Sequence, residues 1–206
     1  MVSGKMAHHA RGARRAEVYL VRHGETEWNA AGRFQGALDS ALTERGIAQA
    51  NGIGRRLAAL GIVPDRFEAS PLGRARDSAA IIAAYIGRTP VAQEAALAEI
   101  SLGSWDGLTA VDIDHGYPEQ MAGATPHDWY FRSPDGEDYD RALARAEAWL
   151  GETRGIVLAV SHGLFSRILR GAYLCLAREA ALALPVPQDV IWRFVDGRIE
   201  AIGING

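Results

Sequence analysis

Cysteine is nearly absent. Cys175 stands alone in 206 residues, so no internal disulfide can form, and thiol-based zinc or redox chemistry has no partner set. Long apolar runs are missing as well. The longest, Ala79 to Ile86, falls far short of the roughly 20 residues that cross a bilayer, and no signal-peptide pattern opens the chain. These absences predict a cytoplasmic protein with no membrane partner. Cys175 lies inside the apolar run Ala172 to Ala177 and reads as a small buried hydrophobe. No internal repeat or low-complexity tract is present. A 48% hydrophobic and 23% charged composition excludes long disorder or a fibre, and the length suits one domain with an elaborated cap.

An excess of cations is also lacking, since 22 basic residues face 25 acidic ones for a net charge of −3. The distribution is uneven. Residues 1–16 hold Lys5, Arg11, Arg14 and Arg15 with His8, His9 and no acid, which leaves 18 cations against 25 anions, or −7, for the rest. An acidic body argues against a nucleic-acid partner, and residues 1–16 read as a disordered basic arm. Residues 17–206 then form the single domain.

Within that domain, short apolar β-rich runs alternate with helical periodicity, which is the signature of an α/β fold. Val18–Val21 and Phe67–Ser70 read as strands. Ile156–Val160 is the most apolar candidate and therefore central in the sheet. Thr43 can cap a helix that ends at Gly61. Another helix runs from about Leu72 to Ile86 and stops at Gly87, a third occupies about Glu137–Leu150 with Asp135 or Asp138 at its start, and Leu164–Leu176 makes a fourth. Val190–Val195 and Arg198–Ile204 flank Asp196-Gly197, a strong hairpin signal, so the sheet is mixed with an antiparallel edge. The expected architecture is a three-layer sandwich around a mostly parallel, mixed sheet. Between residues 101 and 135 the periodicity dissolves into Gly, Pro, Asp and aromatics, read as a small cap over the carboxyl ends of the strands. A homodimer through the edge hairpin is left open.

Two strands end alike, in Arg22-His23-Gly24 and in Ser161-His162-Gly163. Ligands of open α/β sheets bind at the carboxyl ends of strands, so both histidines fall at the edge where chemistry is done. Either one alone would read as a structural imidazole. Glycine after each lets a substrate approach the backbone closely.

The motifs now carry a resemblance. Arg22-His23-Gly24-Glu25-Thr26 with Trp28-Asn29, then Arg33-Phe34-Gln35-Gly36, Ser70-Pro71-Leu72-Gly73-Arg74-Ala75, Glu99 with Gly103-Ser104-Trp105-Asp106-Gly107, and Ser161-His162-Gly163 follow in order. From about Glu17 to Asn205 the chain resembles the histidine phosphatase superfamily, in its phosphoglycerate-mutase-like branch and especially the small phosphatases there. The resemblance implies that His23 attacks phosphorus to form phosphohistidine. It makes Arg22 and Arg74 the phosphate clamp, His162 a donor to phosphoryl oxygens, and Asn29, Gln35, Gly36 and Gly163 further phosphate contacts. Glu99 becomes the acid; Glu25 competes for that role by sequence position, and in isolation Glu99 would read as a solvated strand residue. A carbonyl on the second nitrogen of His23 would fix its tautomer, and the helix amides near Arg74 would add to the anion site.

Two positions depart from the family pattern. Asp138 stands where Ser is common, and it caps a helix equally well; Pro71 stands where Asp is frequent. Asp112, Asp114 and His115 lack further metal ligands and read as a solvated loop; no cofactor or metal is implied. Only Arg132 supplies a cation between Gly107 and Asp135, and the basic insertion of glycolytic mutases is missing. The reading is therefore a phosphomonoester hydrolase acting on a small phosphorylated metabolite. Phosphoglycerate mutase is the alternative, and a catalytically lapsed phosphate-binding module a second.

Overall fold

The computed structural model describes residues 16–87 and 91–204. The expected basic arm falls outside the described residues except for Ala16. In chain order the elements are β1 (Glu17–Arg22), α1 (Glu27–Ala30), α2 (Glu44–Ala59), β2 (Arg66–Ala69), α3 (Gly73–Ile86) and β3 (Ala92–Gln93). After these come α4 (Ala110–Gly116), α5 (Pro118–Met121), α6 (Tyr139–Glu152), β4 (Ile156–Ser161), α7 (Gly163–Tyr173), α8 (Arg178–Leu182), β5 (Val190–Val195) and β6 (Arg198–Gly203).

The six strands lie in the order β3-β2-β4-β1-β5-β6. Pairing is parallel from β3 through β1 and antiparallel from β1 through β6. β4 sits centrally, as its apolar content demands, because a strand covered on both faces has no polar side to show. Alternation along β1 divides the core. Val18 and Leu20 pack with α6 and α7 on one face, whereas Tyr19 and Val21 pack with α2 and α3 on the other. The result is three layers. Asp196 (φ 48) and Gly197 (φ 74) form the turn between β5 and β6, the pair of positive φ angles that a tight hairpin needs.

Local signals set the helix ends. Thr43 accepts from the Gly46 amide at the start of α2, and Asp138 accepts from the Arg141 amide at 2.8 Å to start α6. Gly87 closes α3 in the left-handed conformation.

Three expectations need correction. Cys175 is exposed, because α7 ends at Tyr173 and the chain turns there, with Cys175 itself at φ 53. The expected solvated loop at Asp112, Asp114 and His115 is the helix α4, with the Asp112 carboxylate taken up by Thr109 in a capping box. The segment 101–135 is consequently not structureless. It carries α4, α5 and a small core of Leu102, Trp105 and Ile113, on which Phe34, Tyr117, Trp129 and Tyr130 pack. The two-residue strand β3 was too short to leave a periodic signal.

If Asp138 starts α6 as described, Asp138→Ala lowers stability by about 1 kcal/mol while Asp138→Ser is near neutral. Urea midpoints of the two variants check this, and equal midpoints would remove the capping role.

Candidate active site

β1 and β4 are neighbours in parallel register, with Arg22 opposite Ser161, so His23 and His162 emerge side by side at one sheet edge. Their ring centres are 5.1 Å apart. Both are buried, His162 completely. His23 Nδ1 donates to its neighbour's carbonyl, Gly24 O, at 2.7 Å, which leaves a lone pair on Nε2. Arg74 Nε lies 3.3 Å from that Nε2 and donates to it. Burial first, then the Arg22 and Arg74 cations, hold the His23 pKa well below the ordinary imidazole value, with the Gly24 carbonyl opposing. The imidazole is neutral and its free nitrogen faces a guanidinium.

Arg74 is itself buried at the start of α3 and is held on every nitrogen. Nη1 donates to Leu38 O at 2.5 Å and to Asp39 Oδ1 at 2.7 Å, and Nη2 to Gly36 O at 2.9 Å. Gly36 thus orients the clamp through its carbonyl. Arg22 is fixed at Nη1 by Val186 O at 2.7 Å, while its buried Nε has no partner among the described residues. Asn29 Oδ1 accepts from the Thr26 amide and from Gln188 Nε2, each about one hydrogen-bond length away, so its amide group points elsewhere. Gln35 is bonded to Thr26 and Ser40 and buttresses the loop more than it opens to the cavity.

Arg22, His23, Asn29, Gln35, Gly36, Arg74 and Gly163 line a cavity of about 160 Å³, smaller than the roughly 300–1,000 Å³ of clefts that take drug-sized ligands, whereas His162 is not part of its lining. Glu99 is the single acid among its lining residues. Its Oε1 accepts from the amides of Ile100 and Phe165 at 3.0 and 2.9 Å, and Oε2 from the Leu164 amide at 3.1 Å. The carboxylate therefore sits at the N-terminus of α7, favoured there by the helix dipole. The preceding segment is braced by Arg145, which makes a two-pronged pair with Glu137, donates to Ala96 O at 2.7 Å and lies over the Phe165 ring. Glu25 is instead tied to Thr43 and Arg45.

Two local arguments change. Amides at the start of α3 were expected to bind anion, yet those of Gly73 and Arg74 are already satisfied by Asp39 at 2.6 and 3.2 Å. Glycine after each histidine was assigned to substrate access. A Cβ on Gly24 would lie 2.3 Å from Gly46 O, and one on Gly163 would lie 3.4 Å from the Arg22 guanidinium. Gly24 therefore admits the first turn of α2, and Gly163 lies against the clamp.

Arg167 and Arg33 also line the cavity and were not assigned from sequence. Arg167 follows Gly163 by one helical turn, the spacing that puts both on one face of α7, so the periodicity held the signal. It is anchored by Nε to Leu184 O at 2.7 Å, with Nη1 3.5 Å from the Tyr130 hydroxyl. Arg132, the cation seen within the cap, is folded into its own loop through Gln120, Ala122, Gly123 and Asp128. Among the cap aromatics only Tyr130 reaches the cavity, joined there by Phe34. No cluster of three or more metal-ligating side chains occurs among the described residues.

His23, Arg22, Arg74 and Glu99 line one small cavity, and His162, outside that lining and fully buried, has its ring centre 5.1 Å from that of His23, close to the arrangement that the sequence motifs imply. Residues 18–194 match the model of the histidine phosphatase superfamily, branch 1. The chain belongs to that superfamily. A relative named probable phosphoglycerate mutase GpmB, from Klebsiella pneumoniae, is 39% identical over 158 residues, covering 72% of this chain and 70% of its own. Among solved structures, a mycobacterial glucosyl-3-phosphoglycerate phosphatase with bound VO3 shares 26% identity at a TM-score of 0.74, covering 91% of this chain and 98% of its own. A phosphoserine phosphatase mutant from Entamoeba histolytica in complex with phosphoserine shares 25% at 0.71, covering 90% and 94%. The superfamily fold is thereby shown for this chain, and an enzyme of that superfamily is supported by relatives that include both phosphatases and mutases. No helix among the described residues is long and apolar enough to cross a membrane.

Like His23, His162 is pushed well below the ordinary imidazole pKa of 6.5, by burial first and then by Arg74, His23, Arg22 and Arg145. An unfolded chain binds protons at these imidazoles below about pH 6.5 and the folded chain does not. Stability is thus full above that pH and falls below it, by about 1.4 kcal/mol per pH unit for each histidine until the folded pKa is reached. His162→Gln should flatten this dependence by one proton in urea titrations across the acid range. An unchanged slope would contradict a neutral, buried His162.

Proposed function

We propose that this chain hydrolyses a small phosphomonoester through a phosphohistidine on His23, with Arg22, Arg74, Glu99 and His162 completing the catalytic set. The observation that carries the reading is the neutral Nε2 of His23, bare of a proton and 3.3 Å from Arg74 Nε. Phosphoryl transfer passes through a loose transition state whose catalysis is positioning plus charge stabilisation, which is what fixed guanidinium groups supply.

In the first step the Nε2 lone pair bonds to phosphorus as the bond to the leaving alkoxide breaks. Glu99 delivers a proton to that oxygen. Arg22 and Arg74 neutralise charge on the transferring group, and the Gly24 carbonyl keeps the Nδ1 proton of the phosphorylated ring in place. In the second step water attacks phosphorus, Glu99 takes its proton, and the electron pair of the P–N bond returns to Nε2 as inorganic phosphate leaves. Proton transfer of this kind contributes roughly 10²–10⁴-fold. Asn29, Gln35, Gly36 and Gly163 would hold or frame the phosphate.

A mutase reading has one observation in its favour. Arg33 and Arg167 add two cations to the cavity beyond the clamp, a place where the carboxylate of a phosphoglycerate would be stabilised. The small size of the cap and its self-engaged Arg132 favour hydrolysis, because return of the phosphoryl group to a retained acceptor needs water excluded.

Release of inorganic phosphate should exceed transfer from 2,3-bisphosphoglycerate to monophosphoglycerate in the same mixture. Efficient transfer with negligible release would give the mutase reading. His23→Ala should abolish turnover together with the acid-labile phosphoenzyme. Binding of phosphomonoesters with no phosphoenzyme in the unaltered protein would leave only a lapsed binding module. Glu99→Gln should slow an alkyl phosphate by about 10²-fold or more while sparing p-nitrophenyl phosphate, whose leaving group needs no proton. Equal losses would remove Glu99 as the acid.

A further inference from the structure

Ser70 has no part in the chemistry above. It follows the last residue of β2, its amide donates to Val160 O at 2.9 Å, and its side chain is completely buried. Because β2 and β4 are adjacent and parallel, this position stands beside His162 at the same sheet edge. Ser70 Oγ lies 2.6 Å from His162 Nε2. The other imidazole nitrogen, Nδ1, is buried without a partner among the described residues, in a ring whose centre is 5.1 Å from that of His23.

The proton in the Ser70–His162 bond has two placements. If Nε2–H donated to Ser70, Oγ would receive two donors, since the Leu72 amide already donates to it at 3.3 Å, and the hydroxyl proton would be buried with nothing to bond. Placed on Oγ instead, the proton satisfies the serine and bonds the Nε2 lone pair. The neutral imidazole then carries its own proton on Nδ1. We propose that Ser70 is a positioning residue that holds His162 as the neutral Nδ1–H tautomer, so that this ring donates to a phosphoryl oxygen without having to be charged.

The need for such a device follows from the surroundings. Charged and titratable groups bearing on His162 are Arg22 and His23 from the end of β1, Arg74 from α3 and Arg145 from α6, and with burial they oppose a second proton on the ring. A neutral imidazole has only one N–H. On Nε2 that proton would leave a bare lone pair at Nδ1, repelling the phosphoryl oxygens that the ring should bind.

The proposal rests on the phosphohistidine reading, and the experiment separates the two. Nitrogen-15 NMR of the whole imidazole-labelled protein near neutral pH should show His162 with Nδ1 protonated and Nε2 bare; the reverse pattern overturns the proposal, and this readout needs no variant to fold. In kinetics, Ser70→Ala should lose about 10²-fold in kcat/KM near neutral pH, the scale of removing one preorganised donor. In the folded Ser70→Ala protein the same nitrogen-15 spectrum should show a share of His162 protonated at Nε2 in place of Nδ1, a change that a merely structural serine would not cause. Ser70→Cys, a weaker donor of similar size, should fall between. An unchanged His162 pattern in the folded Ser70→Ala protein marks a merely structural serine and overturns the proposal. Absence of phosphoenzyme in the unaltered protein, with the NMR pattern as expected, would overturn the reading of the site and leave the tautomer assignment standing.

Discussion

Parallel pairing of β1 with β4, Arg22 opposite Ser161, is the constraint on which the site depends. It sets two imidazoles shoulder to shoulder at the end of the most buried part of the sheet, where water cannot solvate a charge. Both rings are consequently neutral, the state from which the proposed roles, nucleophile for His23 and hydrogen-bond donor for His162, start. A slip of one residue would turn each side chain to the opposite face and dismantle the pair.

Around that pair, charge is managed by fixing groups in advance. Arg74 is held by three acceptors besides His23, so its guanidinium reorganises little when a phosphoryl group arrives. The N-termini of α3 and α7 are each occupied by a carboxylate of the chain, Asp39 and Glu99. Those helix amides are therefore already taken, and the ones at α7 anchor the Glu99 carboxylate in the lining of the cavity.

Much of this was legible in the sequence, for physical reasons. The two His-Gly strand ends, the caps Thr43 and Asp138, the stop at Gly87 and the Asp196-Gly197 turn are local signals, and each is read from a few adjacent residues. What escaped reading depends on distant neighbours. Ser70 meets His162 only because β2 lies beside β4, Gln188 reaches Asn29 across the fold at 3.2 Å, and Asp39 caps a helix that begins after an intervening strand. Cys175 was misread because a run of apolar letters says nothing of where a helix will turn. In the cap, short helices held by aromatic packing leave no period long enough to recognise.

The backbone contact between Gly24 and Gly46 extends this logic to tolerance of change. A Cβ at Gly46 would lie 2.0 Å from Glu25 O, and one at Gly24 would strike Gly46 in turn, so neither position can accept even a methyl group without displacing the loop that follows His23. Gly46 bears no reactive group and belongs to a different element, yet it is as intolerant of change as Gly24. An invariant position in such an enzyme can thus mark a place where two main chains touch, with no functional group to explain it.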